Sequence, residues 1–142
     1  MTDWFSDKTS TNDITLHYHR TGGQKPPLVL LHGITDSGQC WVRLAQVLEA
    51  DYDLIMVDAR GHGLSDKPES GYTIDDHAAD VAGLIQDLGL DKPAVMGHSM
   101  GAATATTLGA MYPTLVGCLI LEDPPWRPAD SGSEEELSLI HI

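Results

Sequence analysis

Positive charge is scarce in this 142-residue sequence: 8 lysines and arginines stand against 21 aspartates and glutamates, a formal net charge of −13. Binding a phosphate backbone needs clustered cations, so neither nucleic acid nor an anionic membrane surface is expected as a partner. The same balance favours a neutral small-molecule substrate over a strongly anionic one, although local charge outweighs net charge. Cysteine is nearly absent. Cys40 and Cys118 have no metal-ligand spacing and are expected to be small buried side chains in a reduced protein. No apolar stretch approaches membrane length, and no basic-then-apolar run resembles a secretory signal, so a cytoplasmic location is expected. What is present is ordinary globular material, 42% hydrophobic and 20% charged, enough for one domain.

Residues 1–10 are polar and read as a loosely held lead-in. Ile14, Leu16 and Tyr18 alternate with polar residues, the period of a half-buried strand. Leu28-Val29-Leu30-Leu31 and Leu54-Ile55-Met56-Val57 are continuous apolar runs suited to strands covered on both faces. Between them, Trp41, Leu44, Val47 and Leu48 recur at helical spacing. A second helix starts at Thr73 as N-cap, carries Asp75 and Asp76 in its first turn and stops at Gly89. Its apolar face is Ile74, His77, Val81, Leu84, Ile85 and Leu88. A strand from Ala94, a helix to about Tyr112 and a buried strand Val116–Leu121 follow. Strands alternating with helices at short intervals predict an α/β, doubly wound, mostly parallel sheet with helices on both faces.

The chemistry centres on Gly97-His98-Ser99-Met100-Gly101, where a strand runs into a helix with a serine at the apex. Such an elbow forces the serine into a strained backbone conformation, and its neighbours must be small. An incidental serine in an ordinary strand–helix turn would give the same five residues, so the context decides. His32-Gly33 follows one strand, Asp58-Ala59-Arg60-Gly61-His62-Gly63-Leu64-Ser65 the next, and the elbow a third. In that order, across residues 12–128, the chain resembles the α/β-hydrolase fold family. The glycines after Asp58 lack phosphate-loop spacing and no suitable lysine follows, so a loop-stiffening network around Asp58 and Arg60 is expected, with no metal or cofactor.

The resemblance implies roles. Ser99 would be the nucleophile, and the backbone N–H groups of Ile34 and Met100 would form the oxyanion hole. His32 would be structural. Asp123, 24 residues after Ser99 at the end of the strand beside the elbow strand, would be the triad acid, as in a branch that includes N-formylmaleamate deformylase. Alternatively Asp123 only caps the strand end, with the acid lying farther along. Glu122 would point the other way. Serine at the elbow, where haloalkane dehalogenases and epoxide hydrolases carry aspartate, implies a serine hydrolase of small esters, amides or lactones. Deformylation of an N-formyl amide is one specific case; carbon–carbon bond hydrolysis, perhydrolysis and a non-catalytic binding module use the same frame. Trp126 either lines a substrate pocket or packs.

The catalytic histidine is not expected among His17, His19, His62, His77 and His98. In the family it follows a cap region and a last strand, so residues 1–136 read as the N-terminal part of one hydrolase domain, truncated after strand 6 and inactive alone. Leu137–Ile142 continues no element and can be encoded by CTG TCT CTT ATA CAC ATC, which looks like a transposon end used in sequencing libraries. These six residues are expected to be an adapter-derived, non-native tail.

Overall fold

A computed structural model of the chain describes residues 3–126. The tail at Leu137–Ile142 and its predicted origin lie outside the described residues. Six strands form one mixed sheet: β1 (Phe5–Thr11), β2 (Ile14–Arg20), β3 (Pro27–Leu31), β4 (Asp53–Val57), β5 (Ala94–His98) and β6 (Cys118–Glu122). Their spatial order is β1-β2-β4-β3-β5-β6. β1 and β2 are antiparallel to their neighbours, whereas β4, β3, β5 and β6 run parallel.

Strand alternation divides the core into two layers. Val29, Leu31, Ile55, Val57 and Val95 face one side, where α2 (Ile74–Asp87) and α3 (Met100–Met111) bury Val81, Leu84, Ile85 and Leu108 against them. Leu28, Leu30, Leu54 and Met56 face the other, packing on Trp41 of a short 3₁₀ turn (Gly38–Trp41) and Ala45 of α1 (Val42–Leu48). The expected doubly wound arrangement is present. α2 begins as expected: Thr73 accepts from the Asp76 N–H while the Asp76 carboxylate takes the Thr73 N–H, a capping box. Gly89, at φ 63°, ends it in the left-handed conformation that favours glycine.

Several expectations are corrected. Residues 5–11 are a full strand rather than a loose lead-in, paired to β2 from Phe5↔Arg20 to Thr11↔Ile14. The connecting Asn12 and Asp13 both have positive φ, 48° and 65°, the conformation of a two-residue hairpin turn. β1 faces inward with Thr9 and Thr11 instead of aliphatic residues, so hydrophobic periodicity carried no sign of it. Val47 is 74% exposed because α1 is only two turns long and turns this residue to solvent. Cys40 and Cys118 are both exposed rather than buried, one in the 3₁₀ turn and one starting the outermost strand. The last strand begins at Cys118 rather than Val116, and it is largely exposed because, among the described residues, nothing pairs with its outer edge.

Candidate active site

Ser99 sits between the last residue of β5 and the first of α3, at φ 52° and ψ −112°. A non-glycine residue there costs on the order of 1–3 kcal/mol and persists only where its surroundings impose it. Its surroundings do so through glycine. A Cβ on Gly97 would collide with the Gly101 carbonyl, and a Cβ on Gly101 would collide with the Leu31 carbonyl of β3. The elbow therefore closes onto its own helix and onto the central strand. From the other side, the Ser99 N–H donates to the Glu122 carbonyl at 3.0 Å, tying the apex to the end of β6.

Asp123 follows that carbonyl directly, is exposed, and also holds a positive φ, 48°. Two strained residues thus stand at the carboxyl ends of adjacent parallel strands, where ligands bind in open α/β sheets.

The loop after β3 approaches from the opposite flank. A Cβ on Gly33 would lie 3.0 Å from Nδ1 of His98 and 3.6 Å from the Ser99 Cβ, so glycine spares the His98 ring a crowded contact at this close approach. The Gly33 carbonyl accepts from Nδ1 of His32 at 2.7 Å and from the Asp36 N–H at 3.1 Å. No peptide bond is cis, so the N–H of Ile34, on the same peptide plane as that carbonyl, points the opposite way. Among the described residues it has no acceptor. Met100, as the first residue of α3, also has an N–H without an intrahelical partner. Ile34 and Met100 line one open cleft of about 830 Å³, together with Tyr72, Ala103, Pro125 and Trp126. Trp126 is thereby part of the cleft wall, 62% exposed.

The Asp58–Ser65 loop is the expected stiffening network. The Asp58 carboxylate accepts from the Gly38 N–H at 2.7 Å and the Leu64 N–H at 3.0 Å, and meets Nδ1 of His17 at 2.8 Å. Burial pushes its carboxyl up, but those N–H groups and His17 prevail and hold it below the usual carboxylate range. Arg60 forms a buried two-point pair with Asp80 of α2, at 2.6 and 2.7 Å. His32 takes the Ala59 N–H on Nε2 at 3.0 Å while donating from Nδ1, which fixes a neutral tautomer and gives it the structural part expected. Sequence reasoning missed one contact here: Nε2 of His62 lies 2.7 Å from the Ile34 carbonyl. Spacing within one loop carries no signal for a contact between two loops. Among the described residues no group of three or more histidine, cysteine, aspartate or glutamate side chains converges as a metal site.

The family model for the alpha/beta hydrolase fold matches residues 26–139. The chain belongs to the α/β-hydrolase fold family. Over 120 residues it is 40% identical to a 2-(acetamidomethylene)succinate hydrolase of Mesorhizobium japonicum, covering 84% of this chain and 43% of that protein. An epoxide hydrolase of Caenorhabditis elegans is 34% identical over 128 residues, 88% of this chain and 31% of its own length. The solved N-formylmaleamic acid deformylase of Pseudomonas putida S16 superposes with a TM-score of 0.81 at 30% identity, covering 96% of this chain and 55% of that one. The chain thus spans less than half the length of these curated relatives. No helix of the described residues is long and apolar enough to cross a membrane.

Proposed function

We propose that the full-length protein is a serine hydrolase of small esters, amides or lactones, with Ser99 as nucleophile. The observation that carries this reading is the strained Ser99 apex; its successor Met100 opens α3 and, like Ile34 on the same cleft, has a backbone N–H with no internal acceptor. Ser99 Oγ attacks the substrate carbonyl carbon; the Ile34 and Met100 N–H groups receive the charge that develops on the carbonyl oxygen. Collapse expels the leaving group and leaves an acyl-enzyme, which water resolves to the acid and free Ser99.

Asp123 is the candidate triad acid, orienting a histidine that takes the Ser99 proton and returns it to the leaving group. That histidine is assigned to sequence outside residues 3–126. Among the described ones, His17, His32 and His62 are committed to other partners, His77 is buried on α2, His19 on β2 stands edge-on to the His17 ring, and the His98 ring lies against Gly33. Two relatives are named for N-acyl compounds, one acetamido and one N-formyl, which supports an amide among the candidate substrates. The epoxide hydrolase relative marks the competing chemistry.

A fluorophosphonate probe tests the nucleophile. It is expected to label the full-length protein and not its Ser99→Ala variant. Equal labelling of both would remove Ser99 from the reaction, and Ser99-independent epoxide opening would replace this reading.

A further inference from the structure

We propose that His62 is a positioning residue for the oxyanion loop: through contacts at both ring nitrogens, it fixes the loop after β3 to the loop after β4. This rests on the reading above, in which the Ile34 N–H is one of the two oxyanion donors.

The inference comes from what each ring nitrogen faces. Nδ1 of His62 lies 2.9 Å from the Arg60 carbonyl and Nε2 lies 2.7 Å from the Ile34 carbonyl. A carbonyl oxygen only accepts, so a ring nitrogen that carries a hydrogen donates to it, and the ring bridges a carbonyl of its own loop and one of the loop after β3.

His32 supplies the internal contrast. Its ring lies 5.0 Å from that of His62, tilted 60°, yet it faces one carbonyl and one N–H, the pattern of a neutral ring. Burial lowers the His32 pKa, the Gly33 carbonyl opposes this, and neighbouring His62 adds to the lowering. Charged or titratable groups around this cluster include His77, Arg60, Asp36, Asp58, Asp76 and Tyr72, which packs on Gly61. Arg60 is turned to Asp80.

The frame behind His62 is rigid enough for it to act as a clamp. Gly61 and Gly63 on either side hold positive φ, 78° and 51°. The His62 N–H donates to the Ala59 carbonyl at 2.9 Å, and its own carbonyl accepts from the Ser65 N–H at 3.1 Å. A Cβ on Gly63 would collide with the Asp58 carboxylate, so the loop is pressed onto the network that stiffens it. In the β3 loop, His32 and Asp36 already hold the Gly33 carbonyl. His62 holds the next one. The Ile34 N–H shares its peptide plane with the Gly33 carbonyl, so capturing this carbonyl and the next restrains the plane that carries the donor, as preorganisation requires.

The test uses the full-length protein and p-nitrophenyl acetate turnover. His62→Leu is expected to lower kcat by about 10²-fold, the lower end of the cost of losing one oxyanion donor, with KM little changed. His62→Gln, which keeps an N–H donor for the Ile34 carbonyl, is expected to recover part of that loss. Ser99-dependent turnover combined with an unchanged kcat in His62→Leu would overturn the proposal alone. Turnover that survives Ser99→Ala would overturn the nucleophile reading and the proposal together.

Discussion

Ser99 shows at the scale of one residue how a site stores strain. Its φ of 52° is imposed by the elbow, since Gly97 and Gly101 let the strand end, the helix start and β3 come together without side chains between them. Glycine tolerates such a φ without the Cβ penalty, offset in part by the backbone freedom it loses on folding. Ser99→Gly is therefore expected to stabilise the full-length protein by about 1 kcal/mol while abolishing turnover, a trade between stability and activity. Chemical denaturation of the two proteins side by side measures it, and a destabilised Ser99→Gly would show that the apex is unstrained. The requirement for small neighbours was legible in the five residues themselves. The partners of the histidines were not. His17, His32 and His62 are separated in sequence from most of the groups they bond, and their tautomers follow only from which N–H or carbonyl the fold delivers.

Among the elements, α2 was the most legible, because its cap, its apolar face and its terminal glycine are all local signals that agree. β1 was the least, because its inward residues are threonines that sit against α2. Thr11 donates to the Asp80 carbonyl at 2.9 Å, and a Cβ on Gly83 would collide with the Thr11 hydroxyl. A further tie of α2, to the loop after β4, is ionic. Arg60 and Asp80 are almost fully buried, so Arg60→Ala leaves a carboxylate uncompensated and is expected to cost about 3–5 kcal/mol in equilibrium unfolding. A loss within a few tenths of that for an exposed pair would show that water reaches Asp80.

His77 on the same helix sets a pH dependence. Burial, reinforced by Arg60 and His62, pushes its pKa down from 6.5 to about 4. The unfolded chain takes a proton below 6.5 that the folded chain refuses until about 4, so stability falls as pH drops through that window. The full effect is about 3 kcal/mol for a side chain this buried. His77→Leu is expected to flatten this part of the stability–pH curve, with the downward shift of His32 leaving a residual slope of the same sign. Urea midpoints measured between pH 7 and pH 4, spanning the roughly two-unit window that the linkage predicts, check it; parallel curves would place the titration elsewhere.

The molecule as a whole is a sheet whose two sides were legible and whose boundaries were not. Continuous apolar runs at Leu28–Leu31 and Leu54–Val57 identify strands covered on both faces, and both layers of the core follow from their alternation. At the first edge, β1 was hidden by its polarity. At the other, β6 reads as a buried strand, yet Leu119 is 36% and Ile120 45% exposed. A strand this apolar is composed for neighbours on both faces and at its outer edge, and among the described residues it has β5 and α3 alone. The first of the relatives, about twice as long, has further chain to place there. Expressed alone, residues 1–142 are expected to self-associate through this edge, since an unpaired apolar strand is a template for pairing. They are also expected to hydrolyse p-nitrophenyl acetate no faster than their Ser99→Ala version. Ile120→Lys places a charge on the exposed strand without entering the elbow, and is expected to reduce the association without restoring turnover. Sedimentation over a range of concentrations reads the first effect and a hydrolysis assay the second. A monomer with Ser99-dependent turnover would mean that a base for Ser99 is already within residues 1–142.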